Sequence, residues 1–364
     1  MPTIKDVARL AGVGLGTASR VVRGKGSVSP DKFERVKKAV DALGYRPSHA
    51  ARSLLYGSSR MIGVYIPMLS GTFYTAILKI VDAELRGAGL HMMVAFGVGK
   101  GDARREAIDG VGLLIERGCD GVIVLTSPLQ ESDLALFGPR RERLIALNTS
   151  FDSIASQCFT VDHRLGGRLA ARALLEQGHR EIAVIAGPWK VADNVERLQG
   201  FMEELKTAGI DTEAIWVAER DFSSSGGWSA AHELLASRRR FTALFCANDE
   251  MALGAMSCFH EAGIHVPRDV SVIGYDDAPS AAFSAPRLNS VRIPWREMTH
   301  SGIAMLLNLL DGGQRPVMRN FPISVTVRAS LAAPGAGVPA AAAPPAAPAA
   351  RRRSAPRTPA RAPQ

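Results

Sequence analysis

Thr3-Ile4-Lys5-Asp6-Val7-Ala8-Arg9-Leu10-Ala11-Gly12-Val13-Gly14-Leu15-Gly16-Thr17-Ala18-Ser19-Arg20-Val21-Val22 reads as two helices joined by a glycine turn. Thr3 is a good N-cap with Asp6 in the first turn, and Ile4, Val7, Ala8 and Ala11 recur at helical spacing. Gly12-Val13-Gly14 breaks that pattern, and a second short helix follows from about Leu15 to Val22. Helix, glycine turn and second helix form a helix-turn-helix, whose second helix enters the major groove. The run Gly12-Val13-Gly14-Leu15-Gly16 imitates a dinucleotide loop, but that loop must follow a strand, and a helix precedes it here. Ser29-Pro30-Asp31 opens a third helix, with Ser as cap, Pro in the first turn and Asp favourable to the dipole. Phe33, Val36, Val40 and Leu43 line one face of it, and Gly44 ends it as a left-handed cap.

On the second helix, Leu15, Gly16 and Arg20 fall on the side where base edges would lie. Arg20 can grip guanine through two hydrogen bonds, and Leu15 can pack on a thymine methyl. Gly16 has no side chain with which to read a base. Thr17 and Ser19 suit phosphate oxygens, which fix register without conveying sequence. Charge divides along the chain in the same sense. Of the net +9, residues 1–57 carry +7, residues 331–364 carry +5, and the remainder carries −3. A basic head on a slightly acidic body points to a nucleic-acid partner for the head.

Beyond residue 61, short apolar runs alternate with helical patterns. Strands are expected at Ile62–Ile66, His91–Phe96, Gly121–Leu125, Leu144–Leu147, Phe159–Asp162, Ile182–Ala186, Ile215–Ala218, Ala243–Ala247 and Val270–Tyr275. Helices between them include Ala76–Arg86, Arg104–Arg117, Leu165–Glu176, Glu196–Ala208 and Met251–Glu261, and Trp295–Leu310 precedes a last strand at Ile323–Val327. Alternating β and α elements predict parallel sheets covered on both faces. The stretch is long for one sheet, so two doubly wound lobes are expected. Gly97-Val98-Gly99-Lys100-Gly101 follows a strand but lacks phosphate-loop spacing, and reads as a βα loop. After Leu331 the chain is Ala, Pro and Arg almost throughout, and disorder is expected.

With 364 residues, 46% of them hydrophobic, the chain can bury two or three cores. No apolar run approaches the ~18 residues of a membrane span, and charges stand where a signal peptide needs an apolar core. A cytoplasmic location is expected. The cysteines Cys119, Cys158, Cys246 and Cys258 lie far apart without a CxxC pair, so reduced thiols are expected. The histidines show no metal spacing. No metal and no cofactor are expected.

The quoted head, with Gly44-Tyr45-Arg46-Pro47 and Ala51-Arg52-Ser53-Leu54 after it, resembles the lactose/galactose repressor (LacI–GalR) family. Gly178-His179-Arg180, Arg197-Leu198-Gln199-Gly200-Phe201, Ala247-Asn248-Asp249 and Val272-Ile273-Gly274-Tyr275-Asp276-Asp277 match in the same order, so the resemblance spans roughly residues 2–330. It implies an all-α helix-turn-helix head over residues 1–45 and a hinge helix with linker over 46–59. It further implies a two-lobed, periplasmic-binding-protein-like effector and dimerisation domain over 60–330, ahead of a tail at 331–364. Implied DNA-binding residues are Thr3, Leu15, Gly16, Thr17, Ser19, Arg20, Arg23, Tyr45, Arg52 and Leu54. The segment 48–55 is too short to be a stable helix alone. By resemblance it folds over the operator centre, and Leu54 wedges into the minor groove. Where the family usually has Ser and Asn, this chain has Gly14 and Arg23.

Ligands of doubly wound sheets bind at the carboxyl ends of strands, in the crevice between lobes. Ser70, Phe73, Asn148, Asp162, Arg197, Phe222, Asn248 and Asp276 are expected at or just beyond such ends, and the resemblance assigns Arg197, Asn248 and Asp276 to effector contact. Forked Arg, Asn and Asp groups can each span two adjacent hydroxyls, and Phe73 or Phe222 can cover the C–H face of a pyranose. That set suits a neutral sugar; a purine or a sugar phosphate is the alternative. For Asn248 and Asp276 the plainer role is loop capping. Asn148 stands where many relatives have Asp, and His163 replaces the Asn often found after Asp162. The expected protein is a homodimeric, sugar-responsive repressor of carbohydrate-utilisation genes, bound to a pseudo-palindromic operator and without catalytic activity. An α/β sugar-modifying enzyme would need a phosphate loop or catalytic dyad, and neither occurs at the required spacing. A transport-type binding protein would leave the basic head unexplained.

Overall fold

A computed structural model of the chain describes residues 2–23, 27–45, 58–69, 71–98, 101–126 and 128–335. The expected hinge helix, with Arg52 and Leu54, and the candidate Ser70 lie outside these residues. The head is three helices: α1 (Ile4–Ala11), α2 (Leu15–Arg23) and α3 (Pro30–Leu43). Thr3 and Asp6 close a reciprocal capping box, and Gly12 ends α1 in the left-handed region at φ 61°. Ser29 starts α3 without a side-chain cap bond, and Pro30 in the first turn supplies the helical φ instead. Val7, Ala8, Ala11, Ala18, Val36, Ala39 and Tyr45 form the head's core. Phe33, expected on the buried stripe, is 43% exposed, because the buried part of α3 begins a turn later at Val36.

The chain divides into two compact units, the first made of residues 1–163 with 293–324 and the second of 164–292 with those from 325 onward. After the head, the first unit contains β1 (Met61–Ile66), α4 (Phe73–Gly87), β2 (His91–Phe96), α5 (Ala103–Glu116), β3 (Gly121–Leu125), β4 (Leu144–Leu147) and β5 (Cys158–Phe159). The second runs through α6 (His163–Glu176), β6 (Ile182–Ala186), α7 (Ala192–Thr207), β7 (Trp216–Glu219), α8 (Ser224–Ala236), β8 (Ala243–Cys246), α9 (Asp249–Glu261), β9 (Ser271–Asp276) and β10 (Asn289–Arg292). The chain then returns to the first unit with α10 (Trp295–Asp311) before β11 (Ser324–Thr326).

The sheets have orders β2-β1-β3-β4-β5 and β11-β10-β9-β8-β6-β7. Both carry near-continuous apolar strands such as Gly121–Leu125 and Ile182–Ala186, buried at every position as helices on both faces require. The order reverses between β1 and β3 in one sheet and between β6 and β8 in the other. Such switch points open a crevice outside the carboxyl strand ends.

Two glycine contacts set helix positions. A Cβ at Gly167 of α6 would collide with the Arg197 carbonyl of α7, and one at Gly200 of α7 with the Arg164 carbonyl of α6. On the first sheet, a Cβ at Gly302 of α10 would lie 2.8 Å from Leu147. The expected strand Phe159–Asp162 shrinks to Cys158–Phe159, because His163 already opens α6. Near the end of the described chain, Ser330 Oγ donates to the Val272 carbonyl at 2.6 Å. The Ala332 carbonyl accepts from His179 and Ser271, so the body reaches into the stretch expected as tail. All four cysteines are free thiols, and no described helix is long and apolar enough to cross a membrane.

Candidate functional site

The head presents its candidates on the start of α2. Leu15 is 47% exposed, Gly16 has nothing within 4 Å of where a Cβ would stand, and Arg20 is exposed. Ala18, on the opposite side, is fully buried. Arg20 Nε donates to the Gly16 carbonyl at 3.2 Å, which steadies the stem and leaves the two terminal nitrogens for a guanine edge. Thr17 and Ser19 are half-buried flankers, and α2 ends at Arg23. Two candidates turn out to have structural duties. Thr3 spends its hydroxyl on Asp6, whose carboxyl is held below its usual range by the Thr3 backbone and hydroxyl bonds. Tyr45 is a core residue, 8% exposed, because the chain leaving Gly44 turns its ring back under α3.

In the second unit, a charged cluster forms at the switch point between β6 and β8. Arg197 does not lie at a strand end as expected but inside α7, 3% exposed, with its guanidinium 4.1 Å above the Tyr275 ring. Its Nη2 donates to Asp193 Oδ2 at 3.0 Å, its Nε to the Asp193 carbonyl, and its Nη1 to the Ala247 carbonyl just past β8. Asp276 closes β9, buried, at φ 100°. Burial pushes its carboxyl up to about 7, with Asp193 and Glu250 adding and Arg197 opposing. Asn248 is fixed as the N-cap of α9, accepting from Met251 N–H and donating to the Phe222 carbonyl, both at 2.9 Å. Capping is thus what its side chain visibly does. Phe222, half-buried at φ 65°, lays its ring against Gly187, where a Cβ would collide with it.

In the first unit, the Asn148 side chain is buried with its Oδ1 2.7 Å from His163 Nε2. An amide oxygen only accepts, so Nε2 carries the proton. The two departures noted in the sequence thus sit against each other. Asp162 is exposed, immediately before α6. Phe73 opens α4 with its ring edge-on to Tyr74 at 4.9 Å and to Trp295 at 5.1 Å, and Tyr74 shares a 2.8 Å hydrogen bond with Thr126.

Seven described non-glycine residues have positive φ, and five of them (Thr126, Asn148, Phe222, Asp276, Asp277) lie at or just beyond carboxyl strand ends. Such conformations cost about 1–3 kcal/mol each and gather at ligand sites. Among the described residues no three His, Cys, Asp or Glu side chains group as metal ligands would.

Residues 3–48 match the family model for bacterial regulatory proteins of the lacI family, and residues 171–331 match the periplasmic binding protein-like domain. The HTH-type transcriptional regulator GalS of Salmonella typhimurium is 35% identical over 82% of this chain and 87% of its own length. The HTH-type transcriptional repressor PurR of Vibrio vulnificus is 34% identical over 84% and 91%. The crystal structure of the lac repressor dimer bound to operator and the anti-inducer ONPF superposes with a TM-score of 0.77, at 28% identity, over 91% of this chain and 99% of that one. The chain belongs to the lacI family of bacterial regulatory proteins.

This lacI-family chain is therefore a DNA-binding transcriptional regulator, and its helix-turn-helix head and two-sheet α/β body are those the sequence led one to expect. The strand-end candidates separate into two groups. Arg197, Phe222, Asn248 and Asp276 gather in the second unit, and Phe73, Asn148 and Asp162 belong to the first. Thr126 gave no signal in the sequence, and Trp295 was read only as the start of a helix, not as a neighbour of Phe73. Asn194 was missed too: fully buried, it accepts from Gly187 N–H at 2.7 Å and holds the loop after β6.

Proposed function

We propose that this lacI-family regulator is a cytoplasmic repressor of carbohydrate-utilisation genes, without catalytic activity, that binds a pseudo-palindromic operator as a homodimer. Arg20 and Leu15 read bases from α2, and a small uncharged polyhydroxy effector, held at the carboxyl strand ends, controls operator affinity.

The observation that carries the effector class is the charge of the second unit's cluster. Asp193 engages the buried Arg197 guanidinium, and Asp193 and Glu250 both press on the buried Asp276 carboxyl beside it. A phosphorylated ligand would add negative charge where carboxyls already crowd one another, whereas hydroxyl groups can both donate to Asp276 and accept from nearby N–H groups. A purine base is a second reading, for which the half-buried Phe222 ring beside Gly187 offers a stacking face.

The test is a thermal-shift screen of the full chain against neutral mono- and disaccharides, sugar phosphates and purines. A ligand at 100 times its Kd stabilises the folded chain by about 2.7 kcal/mol. The hit is then titrated into gel-shifted complexes with palindromic DNA. Arg197→Ala and Asp276→Asn should bind operator as the parent does. Arg197→Ala should respond to effector about 5- to 150-fold more weakly, since it leaves a buried hydroxyl unpaired, and Asp276→Asn, which keeps an acceptor oxygen but loses the charge, less so. An unchanged titration midpoint for both variants would place the effector elsewhere, and a shift given by sugar phosphates alone would overturn the charge argument.

A further inference from the structure

The turn that launches α2 is fastened from the third helix of the head. Arg35 of α3 extends across it, and its Nη2 donates to the Ala11 carbonyl at 2.6 Å and to the Gly12 carbonyl at 2.9 Å. These are carbonyls at the end of α1, which the helix itself leaves unsatisfied and where a cation is favoured. An i,i+4 ion pair with Asp31 at 3.6 Å helps to orient the guanidinium. Gly12 is required by its backbone and leaves room for the Arg35 guanidinium. Its φ is 61°, and a Cβ there would stand 2.5 Å from Arg35 Nη2. Gly14 and Gly16, by contrast, have nothing within 4 Å of a Cβ position, so neither supplies packing that would fix the angle at which α2 departs.

We infer that Arg35 is a positioning residue for base reading: its double hydrogen bond to the α1–α2 turn sets the aim of Leu15 and Arg20. The inference rests on α2 being the helix that reads DNA. Other roles make different predictions. A phosphate contact by the half-exposed guanidinium would support affinity for any sequence, and a purely stabilising bond would change the melt and leave sequence preference alone.

The experiment uses the full chain, a duplex selected by the parent protein from a random palindromic pool, and a scrambled duplex of equal length. The variants are Arg35→Met, which keeps most of the stem, and Arg35→Lys, which keeps the charge and can reach one carbonyl. Arg35→Met should lose about tenfold in affinity for the selected duplex, the scale of a charge-assisted hydrogen bond. Binding to the scrambled duplex should stay within about twofold and the salt slope should not change. Arg35→Lys should recover part of the selectivity. Should Arg35→Met fail to fold its head, seen as lost binding to both duplexes, Arg35→Lys decides alone by a reduced ratio at a normal melt. The inference is overturned if the folded variants keep the parent's ratio, or if both affinities fall together with a salt slope lower by about one. Arg20→Ala is the control: if that variant also keeps the ratio, it is the reading role of α2 that fails.

Discussion

Replacing Asp276 by Asn should make the ligand-free chain more stable at neutral pH, by an amount that depends on pH in a definite way. The Asp276 carboxyl rises from its ordinary 3.8 to about 7, chiefly because it is buried. That is about three pH units at ~1.4 kcal/mol each, or a penalty of about 4 kcal/mol once the group is ionised in the fold. The folded chain holds this proton more tightly than the unfolded chain does. Well below pH 4 both are protonated and no penalty exists. Between pH 4 and 7 the unfolded chain releases its proton first, so stability falls as pH rises, and above 7 the full loss is present. Asparagine cannot ionise and escapes the loss. Urea unfolding of both proteins without ligand at pH 4, 5, 6, 7 and 8 measures the gap. It should be small at pH 4, widen to pH 7 and then level off. A gap that is flat across this range, or a variant less stable throughout, would refute the account of Asp276 as a carboxyl kept at the expense of stability for a ligand.

Three further outcomes are expected. Arg20→Ala should abolish preference for operator over scrambled DNA while leaving much of the non-specific affinity, as competition gel shifts would register. His179 is buried, which lowers its pKa from 6.5. The stability it contributes as a neutral ring is present above pH 6.5 and drains away below it, so His179→Gln should flatten the acid limb of the stability–pH curve. Gly167→Ala, which drives a methyl into the Arg197 carbonyl, should cost at least about 1–3 kcal/mol in denaturant unfolding, and by displacing α7 should also blunt the effector response.

Much of the fold was legible because its strands are buried on both faces. Continuous runs such as Gly121–Leu125 and Ile182–Ala186 fell where expected to the residue. β10 (Asn289–Arg292) was missed, since Asn289 and Ser290 are buried polar residues satisfied by partners far along the chain, Ser330 and Asp249. No local pattern announces such bonds. In the candidate site, Asp276 and Phe222 were readable as strand-end residues, whereas the helical seat of Arg197 over Tyr275 was not. Motif matching located that residue but not its geometry. Tyr45 misled because an aromatic beside a basic stretch reads as a DNA contact, and its burial depends on α3 folding back over it.

The interleaving of the two units has a consequence for synthesis. All five strands of the first sheet lie between residues 61 and 159, yet α10, whose Gly302 and Leu306 close against Leu147 and Gly121, emerges from the ribosome well over a hundred residues later. The second unit is likewise incomplete until Ser330 and Ala332 reach Val272, Asn289 and His179. Neither body can finish its core while the chain is still short. The nascent protein therefore carries uncovered apolar strands through most of translation, and exposed surface of that kind is what chaperones bind and what aggregates form from. A chain truncated near residue 292 would lose the closing pieces of both units at once.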